Sequence, residues 1–243
     1  SCRFFMIKKQ KQGKRKEEME SNSFKAVFKI EIHTLYDNDG KFCPSKMERL
    51  AMICTDLLNS GIAVLMVSSG SIALGAAKLG LKKQPSSFIE MQAIAAIGQA
   101  ELISCYQNYF DEFNQIAAQV LVTKDIIESE NRTRKARNTL FNLLERGIIP
   151  IINENDSVST DDIQLNDNYP LVFNVSRVIS ADAIIVKSEL EGKYMIIDSL
   201  GGDQVKVNEE ELVNKMAQLK NIKENGNYKL IPFPEKFEEL KFA

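Results

Sequence analysis

Short apolar runs alternate with longer stretches in which apolar residues recur at helical spacing. Ala26-Val-Phe-Lys-Ile30 reads as a short buried strand. Met47, Leu50, Ile53, Cys54, Leu57 and Leu58 follow at helical intervals, and Gly61 supplies a stop. Ala63-Val-Leu-Met-Val67 is an unbroken apolar run, the signature of a strand covered on both faces of a parallel sheet. Ser68-Ser-Gly-Ser71 interrupts it before a helix that runs towards Leu79. After a turn from Gly80 to Pro85, Ser87 to Phe110 forms a long helix in which Ala93, Ala95, Ala96 and Gly98 permit close packing.

The alternation continues with a strand over Ala117 to Val122, a helix over Asn131 to Arg146 stopped by Gly147, and a strand over Ile148 to Ile152. A polar loop from Asn153 to Asn168, a helix over Leu171 to Ile179 and a strand over Ala183 to Val186 complete the series. Such βαβα order predicts an α/β three-layer sandwich around a mainly parallel sheet. Ligands of such sheets sit at the carboxyl ends of the strands. Ser68–Ser71 and Asn153–Asn168 both follow strand ends and so share that edge. Beyond Val186 the pattern changes: Tyr194–Ile197 and Gln204–Val207 flank Gly201-Gly202 as a hairpin, Glu209 to Leu219 is a charged helix, and the segment from Asn225, with Pro232 and Pro234, is extended. The expected division is a basic arm over 1–23, a main domain over 24–192 and a C-terminal remnant and tail over 193–243.

Composition narrows the function classes. The 243 residues are 44% apolar and 26% charged, with a formal net charge of −2, which gives no general reason to expect nucleic acid or an anionic membrane as partner. No apolar run approaches the roughly 20 residues of a membrane span. The four cysteines form no CxxC pair and the single His33 cannot complete a metal cluster, so no metal site and no disulfide framework is expected. Cys54 and Cys105 fall on apolar helical faces and are expected in the core. The basic start, from Arg3 to Lys16, has two readings: a solvated charged arm, or the mature end of a mitochondrial protein trimmed of its transit peptide.

Two motifs carry chemistry. Val67-Ser-Ser-Gly-Ser-Ile-Ala-Leu-Gly75 is a strand, small-residue turn and helix start, which presents backbone N–H groups to an anion. Ile151-Ile-Asn-Glu-Asn-Asp-Ser-Val158, followed by Asn166-Asp-Asn168, packs short polar side chains after a buried strand, where they suit an ammonium group and a carboxylate. Together with Gln92–Gln99, Ala118–Asp125 and Ala136-Arg-Asn-Thr-Leu140, these lines resemble glutamate 5-kinase, of the amino-acid-kinase fold, over roughly Ala26 to Gly192.

That resemblance implies attack of the γ-carboxylate of L-glutamate on the γ-phosphate of Mg·ATP, with glutamate held by Ser69, Gly70, Asp156 and Asn168, catalytic charge from Lys29, and nucleotide contacts from Ser188 and Glu189. It also exposes departures. Where the family has glycine after the first-strand lysine, this chain has Glu31, and the hydroxyl residues that follow are Ile32 and His33. An aspartate next to the pocket asparagine is replaced by Tyr169, and the family's later Gly-Gly-Met-x-Thr-Lys motif does not occur. The nucleotide lobe is therefore expected to be reduced or absent. Three functions follow. The first is a homologue that has lost phosphoryl transfer and serves as a structural or regulatory subunit of a larger, mitochondrial assembly, with no cofactor. The second is an active kinase using Mg and ATP, its second lysine drawn from Lys187, Lys193 or Lys206. The third is a glutamate sensor. Self-association is implied by the family alone.

Overall fold

The computed structural model describes residues 23–37, 42–81, 87–123, 129–157, 169–188, 193–199, 204–226 and 233. The basic arm, the Gly201-Gly202 turn and most of the Pro-containing tail lie outside the described residues, as do Asn168 and Glu189.

Seven strands form one sheet: β1 (Phe24–Glu31), β2 (Ile62–Ser69), β3 (Ala117–Val122), β4 (Ile149–Glu154), β5 (Ala183–Lys187), β6 (Lys193–Asp198) and β7 (Gln204–Asn208), in the order β3-β4-β2-β1-β5-β6-β7. The first five are parallel; β6 and β7 join antiparallel to β5 as a hairpin. Among the described residues the helices are α1 (Pro44–Asn59), α2 (Ser71–Lys78), α3 (Phe88–Asp111), α4 (Glu130–Leu144), α5 (Tyr169–Ile179) and α6 (Glu209–Glu224). None is long and apolar enough to cross a membrane.

The layers follow from alternation along the strands. Even positions of β1 (Phe24, Ala26, Phe28, Ile30) meet the apolar stripes of α1, α3 and α6, through Leu50, Leu57, Leu102, Tyr106, Phe110 and Met216. Val27 on the opposite face meets α4 and α5, through Phe141, Val172, Val175 and Ile179. The result is the expected α/β three-layer sandwich. Helix starts are set locally: Pro44 opens α1, the Ser87 hydroxyl accepts from Glu90 N at 3.2 Å to start α3, and Asn208 with Glu211 forms a capping box for α6.

Three details differ from the pattern-based reading. β1 extends beyond Ala26–Ile30 at both ends and takes in Lys25, which like Lys29 is 1% exposed. A 3-10 turn over Ile32–Leu35 follows it, and the sequence pattern gave no hint of this. Cys54 is buried, whereas Cys105 is only half-buried.

Candidate active site

Parallel pairing brings the ends of β4, β2, β1 and β5 to one edge of the sheet. Glu31 pairs with Ser69 across β1 and β2, and Lys29 pairs with Val186 across β1 and β5. The central strand β1 thus separates a half made by β2 and β4 from a half made by β5 and the hairpin.

In the first half, β2 continues through Ser69 and breaks at Gly70, whose φ of +111° lies in the region that favours glycine. A Cβ at Gly70 would overlap the Ile32 side chain, so the 3-10 turn after β1 lies directly against the β2 turn. Ser68, fully buried, hydrogen-bonds the Tyr106 hydroxyl at 2.9 Å and fixes the strand end from below. Ser71 Oγ donates to Asp156 Oδ2 at 3.0 Å, tying the β2 turn to the segment after β4. Beneath Asp156, Asn153 Nδ2 donates to Gln99 Oε1 at 2.8 Å, and Asn153 Oδ1 accepts from Glu154 N at 2.9 Å. Gln99 Nε2 is buried without a hydrogen-bond partner among the described residues.

Ser69, Gly70 and Asp156 are therefore brought together. Sequence reasoning missed Ser71 and Gln99 as supports for this half. The Ser71–Asp156 contact spans 85 residues and the Gln99–Asn153 contact 54, so no local spacing announces either.

Lys29 stands on the face of β1 that looks towards α5. Its ammonium group donates to Glu31 Oε1 and lies 3.9 Å from the centroid of the Tyr169 ring. Glu31 and Tyr169, two of the residues that depart from the kinase pattern, thus hold this lysine. His33 Nε2 reaches the other Glu31 oxygen at 3.4 Å. Ser188 N donates to Lys193 O at 2.9 Å, which carries the chain from β5 towards β6. On the opposite face, Lys187 Nζ donates to the Tyr194 hydroxyl at 3.5 Å, and burial pushes that phenol well above its ordinary range, so it stays protonated.

A lysine between two polar half-sites at the carboxyl edge of a parallel sheet fits transfer of an anionic group to a polar acceptor. The sequence profile of the amino acid kinase family matches residues 33–194. The chain belongs to the amino acid kinase family. Its similarity is to glutamate 5-kinases in particular. It is 40% identical over 177 residues to the glutamate 5-kinase of Clostridium perfringens, a stretch covering 71% of this chain and 66% of that one. With the glutamate 5-kinase of Listeria innocua it shares 39% over 192 residues, 77% of this chain and 70% of the relative. With that of Thermoanaerobacter sp. it shares 40% over 168 residues, 69% of this chain but 45% of the relative. The matched stretch thus covers about two thirds of the first two relatives and less than half of the third. Lys29 and Glu31 precede the part that matches the amino acid kinase profile, and Lys206 follows it.

Proposed function

We propose that this chain binds L-glutamate on the β2–β4 half of the edge and phosphorylates its γ-carboxylate from ATP. The observation that carries the reading is the Ser71–Asp156 bond, which joins the two loops resembling the glutamate 5-kinase pocket beside the strand that bears Lys29. The names of the relatives support this active reading better than the expectation of lost transfer.

In this scheme Asp156 and Ser69 orient the amino acid. A γ-carboxylate oxygen attacks the γ-phosphorus, the bond from phosphorus to the bridging oxygen breaks, and its electron pair leaves on ADP. Such a reaction is mostly positioning and charge neutralisation, and Lys29 supplies positive charge from the central strand. Magnesium would arrive on the nucleotide. Such an ion is held mainly by phosphate oxygens and water.

A second reading has one specific observation in its favour: Glu31 occupies the Lys29 ammonium. On that reading the pocket binds glutamate without transferring phosphate, and the chain acts as a sensor or regulatory subunit. Hydroxylamine trapping separates the two, because glutamyl phosphate yields γ-glutamyl hydroxamate. Glutamate-dependent hydroxamate formation with matching ADP release supports the kinase. Calorimetric glutamate binding with no hydroxamate supports the second reading and sinks the first.

A further inference from the structure

The amide network beneath Asp156 has a single orientation. Asn153 Oδ1 accepts from Glu154 N at 2.9 Å, so the other end of that side chain is its NH2 group and needs an acceptor. Gln99 Oε1 supplies it at 2.8 Å. With Oε1 committed to Asn153, Gln99 Nε2 is left buried with no acceptor among the described residues. Both side chains are more than nine-tenths buried. An apolar side chain at this point of α3 would fill the space without stranding a donor, so packing alone does not account for a glutamine. What the glutamine adds is a fixed acceptor for Asn153.

That acceptor governs the path of the chain to Asp156. Glu154 N is held by the Asn153 side chain, Asn155 N by Val122 O at 2.8 Å, and Asp156 Oδ2 by Ser71 Oγ. The first of these bonds is made by a side chain that itself leans on α3. The residue beside Gln99 holds the other loop: Gly98 lies so close to the Ser71 carbonyl that a Cβ there would overlap it. Consecutive residues of one helix thus place both partners of the Ser71–Asp156 bond. Gly98 places Ser71, and Gln99, through Asn153, places Asp156.

We propose that Gln99 is a positioning residue for the amino-acid ligand, fixing the Asp156 carboxylate where an ammonium group can meet it. The identity of the ligand rests on the kinase reading; the placement of Asp156 by Gln99 does not. The effect should fall on glutamate binding and not on ATP or on the rate at saturation.

The test compares Gln99→Met and Gln99→Glu in the full chain. Methionine fills the space but offers Asn153 only a weak acceptor. Glutamic acid has the shape of glutamine, keeps an oxygen towards Asn153 and removes the stranded donor. Gln99→Met should speed amide hydrogen exchange at Glu154 about tenfold relative to the core amides of β4, the loss expected for one hydrogen bond. It should raise the calorimetric Kd and the KM for glutamate about tenfold, with kcat and the KM for ATP near native. Gln99→Glu should restore both readouts at low pH, and glutamate affinity should fall as the buried carboxyl ionises beside Asp156, a step the native protein lacks. Unchanged Glu154 exchange in Gln99→Met overturns the inference, as does an equal loss in both variants at every pH, or a fall in kcat with KM unchanged. A lower Tm without a selective change at Glu154 shows a merely structural glutamine and overturns it too. If the native protein binds no glutamate and forms no hydroxamate, the kinase reading fails on its own. Glu154 exchange that is faster in Gln99→Met and native-like in Gln99→Glu still upholds the placement of Asp156.

Discussion

Two lysines stand four residues apart on β1, on the same face and equally buried, yet the two ends of the strand use them differently. At the amino end, Lys25 Nζ donates to Ser23 O at 3.1 Å, and its backbone N–H donates to Asp182 Oδ2 at 2.8 Å. The same carboxylate oxygen receives Lys223 Nζ at 2.8 Å, which also reaches Ser23 O at 2.9 Å. Every group there is tied to backbone or to a buried counter-charge, and α6 is bound to the sheet as a result. At the carboxyl end, Lys29 meets a carboxylate that lines an open cavity, and an aromatic face. One end is closed by bonds that nothing needs to exchange. The other leaves its cation beside space that a ligand can fill. The same residue type serves as strut or as tool according to what surrounds its partner.

The largest expected effect would test the strut. Asp182→Ala strands the buried Lys223 ammonium and should lower stability by about 3–5 kcal/mol in urea unfolding. Lys29→Met should lower phosphoryl transfer by about 10²–10³ while costing less stability than Asp182→Ala. Equal destabilisation by the two would erase the distinction between the ends. Glu31→Gln releases Lys29 from its counter-charge and should raise transfer about tenfold, equivalent to ~1.4 kcal/mol in the barrier. A fall in rate would make Glu31 part of the machinery. Tyr169→Leu removes the ring beside Lys29 and should cost ~1 kcal/mol, or ~2–4 °C in Tm, with glutamate affinity unchanged. The smallest effect is a control on alkaline behaviour. Burial pushes the Cys105 thiol from 9.0 up to about 11. Its contribution is complete below pH 9 and is lost as pH rises towards 11, because the unfolded chain ionises first. Cys105→Ser should flatten part of that limb in pH-dependent unfolding, so the loss is not credited to the lysines.

Much of the sheet was legible because apolar runs such as Ala63–Val67 are unbroken, and parallel strands covered on both faces leave no polar alternation. The close packing read from Gly98 is also real: a Cβ there would overlap the Ser71 carbonyl. The ends of β1 were harder. Lys25 lies outside the run read as a strand, and only the partners that topology brings to it, Ser23 O and the Asp182 carboxylate on its backbone, accompany its burial. The lysines named as possible replacements were each visible, but their gathering in one cavity depends on hairpin register. The 3-10 turn after Glu31 carries no periodicity of its own, since four residues are too few to show one.

The overlap that a side chain at Gly70 would make with Ile32 constrains how this sequence can drift. A smaller residue at position 32 still clears the turn, though it leaves a cavity in the core that Ile32 helps to fill. Gly70 is not free to grow even then, since its φ of +111° disfavours any residue with a Cβ. Change at this contact therefore runs in one direction, and the order in which substitutions arrive decides which of them are tolerated. Because Ile32 leaves β1 and Gly70 leaves β2, that asymmetry couples the inheritance of one half-site to the other, although no residue of either half need touch the same ligand.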